Sequence, residues 1–265
     1  MKTVRSLGMK YLGVLCFTLL CGCQSIVNPS LSVYHSDLHA TADGIDTSSE
    51  TILNAKQNGS YALEDSVSVT FAMEGLRVKV DPLSDDQLNS LFPEDSKKGQ
   101  FSTNPYTYGN WVDPLKGYCP KRFTVFRVTV TNDIYAKVLL DPMKAYLLTD
   151  QGDKLYSFGI PASAPYESFE QYYRALRGQS GNEFYRYDLR MGNVRSSAYL
   201  EDQLVFKGES YSGLIAFRAL QEQVELVEMV MRDFTFKFDA SGQPLESLDI
   251  AVSFEHKVKL QSSVE

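Results

Sequence analysis

The sequence predicts a mainly β chain, a sandwich or barrel with one or two inserted helices and a long C-terminal hairpin. Three observations predict it. Short stretches alternate apolar and polar residues with a period of two, the signature of half-buried strands. Turn-forming residues separate these stretches. Helical periodicity is confined to a few short segments, so the helices are additions to a β framework.

The first strands follow residue 66. Val67, Val69, Phe71 and Met73 alternate with small or polar residues, and Leu76, Val78 and Val80 continue after Gly75. Ser84 opens SDDQLNSLF as an N-cap with acidic residues in the first turn, which predicts a short helix stopped by Pro93. Residues 93–121 hold four prolines and the aromatics Tyr106, Tyr108, Trp111 and Tyr118, and are expected to form a long loop with adhesive side chains.

Phe123–Asn132 (FTVFRVTVTN) is the clearest strand, with Phe126, Val128 and Val130 on one face. Residues 144–149 and 154–158 flank Asp150-Gln151-Gly152-Asp153 and predict a hairpin. The two aspartates lack the further oxygen ligands of a calcium loop, so a turn is expected. Tyr166–Arg177 places Phe169, Tyr172, Tyr173 and Leu176 on one helical face, and Gly178 ends the helix. That stripe is expected to be core. Residues 182–199 are rich in Tyr and Arg, and strands are expected near 201–206 and 212–219. Phe234, Phe236 and Phe238 alternate on one arm of the final hairpin. Ile250, Val252, Phe254, His256, Val258 and Leu260 alternate on the other. His256 therefore falls on an apolar face and is expected to be a hydrogen-bonded core or edge histidine.

The N-terminus has a different character. Residues 1–10 carry Lys2, Arg5 and Lys10 and no acidic residue, and Tyr11–Leu20 is a continuous apolar run before Cys21-Gly22-Cys23. A charged start, a short apolar stretch and small residues at a cut site describe a secretory signal peptide. The run is about half the ~20 apolar residues a spanning helix needs. Leu20, Gly22 and Cys23 resemble the lipobox of bacterial lipoproteins, with Cys21 in a slot that more often holds Ala, Ser or Thr. The resemblance implies cleavage after residue 22 and a thioether-linked diacylglycerol on Cys23, often with a further acyl chain on its new amino group. Two or more chains hold a protein stably at a membrane. Gln24, in place of Asp, favours the outer membrane if the organism is Gram-negative.

The chain is thus expected to divide into a leader at 1–22, a flexible tether at 23–60 and a β-rich domain at 61–265 with a helical insertion near 160–200. Removing the leader leaves 23 basic side chains against 33 acidic, a net charge of −10. That balance opposes binding to nucleic acid or anionic lipid headgroups. Cys16 and Cys21 leave with the leader and Cys23 is acylated, so Cys119 has no intrachain partner and is expected to be buried.

Catalytic signatures are lacking. The chain has no GxSxG elbow, glycine-rich phosphate loop, HExxH or CxxC pair, and no cofactor or metal is expected. His35, Asp37 and His39 in the tether match no metal motif and are expected to be solvated.

Three patches together resemble Ig-like modules of bacterial lipoproteins: Phe126–Asn132, Leu147–Tyr156 and Phe206–Phe217. The resemblance implies an Ig-like β-sandwich, a chain bend at Gly213, Phe217 in the core and no shared catalytic residue. The segment between the second and third patches and the C-terminal hairpin depart from it. The expected role is that of a non-catalytic envelope lipoprotein that binds another protein. The alternative is a glycan-binding module using the aromatics of 106–118 and 184–199, with a hydrolase third. A concave cleft lined by several exposed tyrosine or tryptophan rings would favour the glycan.

Overall fold

The computed structural model describes residues 32–41, 59–63, 67–176 and 183–262. The leader, Cys23 and most of the expected tether lie outside them.

Two sheets pack face to face as a β-sandwich. The first contains β1 (Ser32–Ala40), β6 (Lys137–Leu139), β7 (Ala145–Thr149), β8 (Lys154–Tyr156), β11 (Leu204–Phe206), β13 (Leu226–Phe238) and β14 (Pro244–Ser262). Its main path runs β1-β14-β13-β6-β11, with β7 also on β13 and β8 on β7. The second runs β12-β5-β4-β3-β2, from β2 (Ser60–Leu63), β3 (Val69–Met73), β4 (Leu76–Leu83), β5 (Phe123–Asn132) and β12 (Glu209–Arg218). A two-residue parallel pair, β9 (Phe158–Gly159) with β10 (Glu167–Ser168), stands apart.

Alternation fixes which residues meet between the sheets. Phe71, Val78, Val80, Phe126, Val128 and Val130 face Leu147, Val227, Met229, Ile250, Val252 and Phe254 in one core. At ~1.5–3 kcal/mol for each fully buried large apolar side chain, this face is the main source of stability.

A third layer lies on the far side of the second sheet. It consists of α1 (Asp85–Leu91), α2 (Pro93–Ser96), α3 (Phe169–Ala175), α4 (Glu183–Ser197) and the 97–122 loop. Leu88, Tyr106, Phe169, Tyr173, Tyr187, Met191 and Val194 bury against Phe123, Val125, Leu214 and Ala216. The unbroken apolar start of β5 follows from this: Phe123–Phe126 is covered on both faces.

Several expectations are refined. Ser84 caps α1 in a capping box with Gln87, and Pro93 begins α2 at its first turn. The helix predicted from Tyr166 starts at Phe169, because Ser168 caps it and Tyr166 precedes the cap. The 97–122 loop is far less exposed than expected. Asn104 is fully buried, and its side chain donates to the Leu88 carbonyl and Ser96 Oγ and accepts from the amides of Tyr106 and Thr107. One buried amide side chain thereby satisfies backbone groups that would otherwise be costly to bury.

Gly213 also has a different role from the one expected. It lies within β12, and a Cβ there would sit 2.5 Å from Tyr199 Cα. Close backbone approach, and not a bend, demands glycine. Phe217 is in the core, as expected. The expected tether contains a strand: residues 32–40 pair along β14 from Ser32↔Ser262 to Ala40↔Phe254, with Leu38 buried. A 19-residue β14 offers a long edge, and pairing satisfies backbone groups on both strands.

Candidate functional site

Two clefts concentrate the molecule's polar chemistry. The first, about 300 Å³, lies between β1, the end of β4 and the start of β5, and is lined by Ser36, Asp37, His39, Ser84, Lys121 and Thr124 among others. An adjoining hollow of about 190 Å³ reaches Tyr34, Asp85 and Cys119. Most residues that stand out in the sequence gather here.

Several of their polar groups satisfy one another. His256 Nδ1 lies 2.7 Å from the Val224 carbonyl and can only donate to it. Nε2 is then the acceptor for the Ser36 hydroxyl at 2.8 Å. Burial, aided by Lys121, pushes the imidazole below its usual range. Lys121 pairs with Asp85 at 2.9 Å and reaches the Ser36 carbonyl at 3.4 Å. Burial raises the Asp85 carboxyl, opposed by that lysine. Tyr34 and Tyr118 stack with centroids 4.9 Å apart. His35, Asp37 and His39 share one face of β1, but a strand rises ~3.3 Å per residue, which sets the two histidines about 13 Å apart. No group of three His, Cys, Asp or Glu side chains among the described residues could hold a metal ion. Cys119 is partly buried, and burial followed by the Asp85 charge pushes its thiol up to about 11.

The second cleft, about 340 Å³, lies on the face of the first sheet turned away from the core. Ala145 and Leu147 of β7 point into the core, so Tyr146 points out. Register sets a row across three strands: Val230 opposite Tyr146, and Tyr146 opposite Tyr156. Lys154 stands two residues before Tyr156 on the same face of β8. Its ammonium lies 3.7 Å from the Tyr146 ring centre and 5.2 Å from that of Tyr156. Tyr166 reaches over from the segment before α3 and stacks on Tyr156, centroids 3.7 Å apart and planes 7° from parallel. Tyr166 is nevertheless 56% exposed, so one face is held while the remainder stays open.

A β-bulge completes the wall. Met231 pairs with Ile250 and Phe234 with Leu248, so β13 has one more residue than β14 between these pairs. Asp233 adopts φ +53°, and its amide donates to Asp249 Oδ1 at 2.8 Å. In an unbroken strand Arg232 and Asp233 would point to opposite faces; here both line the cleft. Asp233 pairs with Lys144 at 3.1 Å, and Arg232 lies 3.9 Å from Asp249. Asp141, on the rim, has its carboxyl raised by burial. Bulges and strained backbone of this kind recur where a site re-aims side chains.

The aromatics expected to carry a ligand are mostly committed elsewhere. Tyr106, Tyr187 and Tyr199 are buried. Tyr108 lies under Arg122, whose guanidinium is 4.0 Å from the ring centre, and Trp111 packs on Tyr108. Phe184 and Tyr185 are exposed, on α4. The sequence reading missed Tyr146 and Tyr156 as site residues and placed Tyr166 in a helix. The alternation of Tyr146 and Tyr156 against core residues was the available signal. No known protein family, curated protein or solved structure matches the chain.

Proposed function

We propose that the protein is a lipid-anchored component of the bacterial cell envelope, attached through Cys23, and that its sandwich is a non-catalytic module that binds a glycan in the tyrosine cleft. The observation that carries this is one concavity lined by the exposed ring of Tyr166, the half-buried ring of Tyr156 and the buried ring of Tyr146, with Lys154 over the last two. Its volume of about 340 Å³ falls within the ~300–1,000 Å³ usual for small-ligand sites. Aromatic rings offer flat apolar faces to the C–H faces of a sugar, and the polar rim answers its hydroxyls. The cleft beside β1 is a weaker candidate because Lys121, His256 and Ser36 already satisfy one another.

The test is a glycan array probed with the wild-type protein and with Tyr166→Ala. Reproducible binding that weakens in the variant supports the cleft. No binding, or binding indifferent to Tyr166, overturns it.

A second reading has its own observation. Phe101, Phe184 and Tyr185 are 47%, 67% and 68% exposed on the helical layer, apolar surface suited to a partner protein in the envelope. Affinity purification of the lipidated protein from envelopes tests it. A partner lost on Phe184→Ala and kept on Tyr166→Ala would place function on that face.

A further inference from the structure

The cations of the tyrosine cleft differ in one respect. Lys144 is engaged by Asp233, and Arg232 lies within 4 Å of Asp249. Lys154, exposed on β8, has no carboxylate within ion-pair distance among the described residues, and its ammonium rests on the rings of Tyr146 and Tyr156. In a chain with an excess of acidic side chains, an uncommitted cation held over an aromatic floor is a departure from the general balance.

We infer that the ligand is an acidic saccharide, a sugar bearing a carboxylate, with its ring on Tyr166 and its acid group on Lys154. This rests on the glycan assignment above and narrows it to a charge class. The geometry supports the division of labour. Tyr166 is fixed by its stack on Tyr156 yet more than half exposed, so it offers a preorganised apolar surface at little entropic cost. Lys154 sits on the same wall, on the strand that carries Tyr156. A carboxylate reaching Lys154 gains a charge-assisted hydrogen bond in a partly enclosed site, where salt screens it less than on open surface. The bulge that turns Arg232 into the cleft supplies a second donor, and its weak 3.9 Å approach to Asp249 leaves it able to turn to a ligand. Asp141 and Asp233 set a limit. Asp233 is neutralised by Lys144, and Asp141, its carboxyl raised by burial, also lines the cleft. A ligand with one acid group therefore suits the cleft better than a densely charged polyanion.

The experiment is a calorimetric titration of the mature, lipidated protein in detergent micelles with a neutral oligosaccharide carrying a single uronate residue (the oligouronate) and with its carboxyl-reduced counterpart. The two probes share rings and linkages and differ only in charge. The oligouronate should bind roughly tenfold or more tightly, and its advantage should shrink with added salt. Lys154→Gln should abolish the advantage of the oligouronate over the reduced probe. Tyr166→Ala should weaken both. Equal binding of the two probes by wild type, or an oligouronate affinity unmoved by Lys154→Gln, overturns the acidic-sugar inference while the glycan assignment stands. Binding of neither probe, with an array that is also silent, overturns both.

Discussion

Ser36 and His256 join two strands that meet only because residues far apart in sequence pair: the Ser36 hydroxyl donates to His256 Nε2 at 2.8 Å, while His256 Nδ1 donates to the Val224 carbonyl. The imidazole is held neutral, buried between β1 and the loop before β13. Its folded-state pKa is depressed from 6.5, chiefly by burial. A base depressed on folding binds fewer protons in the native state than in the unfolded one. Its contribution to stability is therefore fully present above about 6.5 and is lost as pH falls through that value toward the folded pKa. Urea unfolding midpoints at pH 7.5 and pH 5 should fall with acid in the wild type and fall less in His256→Leu. Equal slopes would contradict this.

Ser36→Ala removes the donor and leaves a buried nitrogen acceptor unsatisfied. The expected cost is about 1–3 kcal/mol, read from urea unfolding at neutral pH. An unchanged midpoint would mean that solvent replaces the hydroxyl.

Cys119 should be a slow thiol. With its pKa pushed up to about 11, almost none is thiolate at neutral pH. Maleimide labelling of a leader-free Cys23→Ser protein should be slow when native and rapid in denaturant. Native labelling at the rate of a free peptide thiol would contradict the burial.

Gly213→Ala places a methyl 2.5 Å from the Tyr199 backbone, which is held against β12 by the bond from its amide to the Leu214 carbonyl and cannot yield cheaply. The expected loss is about 1–3 kcal/mol in unfolding free energy. Gly192, on the exposed part of α4 with open space around its Cβ position, is the control and should tolerate alanine.

Cys23→Ser should release the protein from membranes without altering the folded domain. Fractionation with a salt wash checks it. A leader-free Cys23→Ser protein that stays with membranes would contradict lipid anchoring.

Much of the β framework is legible in the sequence because alternation there is strict. Phe126, Val128 and Val130 declare their shared face, and Ile250, Val252 and Phe254 declare theirs. The helical layer is harder to read. Glu183–Ser197 is a helix whose apolar contacts, Tyr187, Met191 and Val194, are diluted by arginines, one of which, Arg190, is itself buried. The order within 97–122 depends on Asn104, a polar residue whose role appears only once Leu88, Ser96 and Tyr106 surround it. β1 hides in a polar segment, where Leu38 is buried in the core and Ala40 packs against it.

The tyrosine cleft is the least legible feature. Tyr146 and Tyr156 are brought side by side by hairpin register, Tyr166 arrives from a separate segment, and the bulge at Arg232-Asp233 is formed without glycine or proline to announce it. These are relations between elements, and period-two alternation carries no record of them.

The most direct measurement is the affinity of the wild-type protein for a glycan identified on the array, beside Tyr166→Ala and Phe184→Ala. The cleft assignment predicts about a tenfold loss for Tyr166→Ala, near the ~1.4 kcal/mol at the upper end for a lost aromatic contact, and no change for Phe184→Ala. An affinity unaffected by Tyr166→Ala, or lost with Phe184→Ala instead, would contradict it.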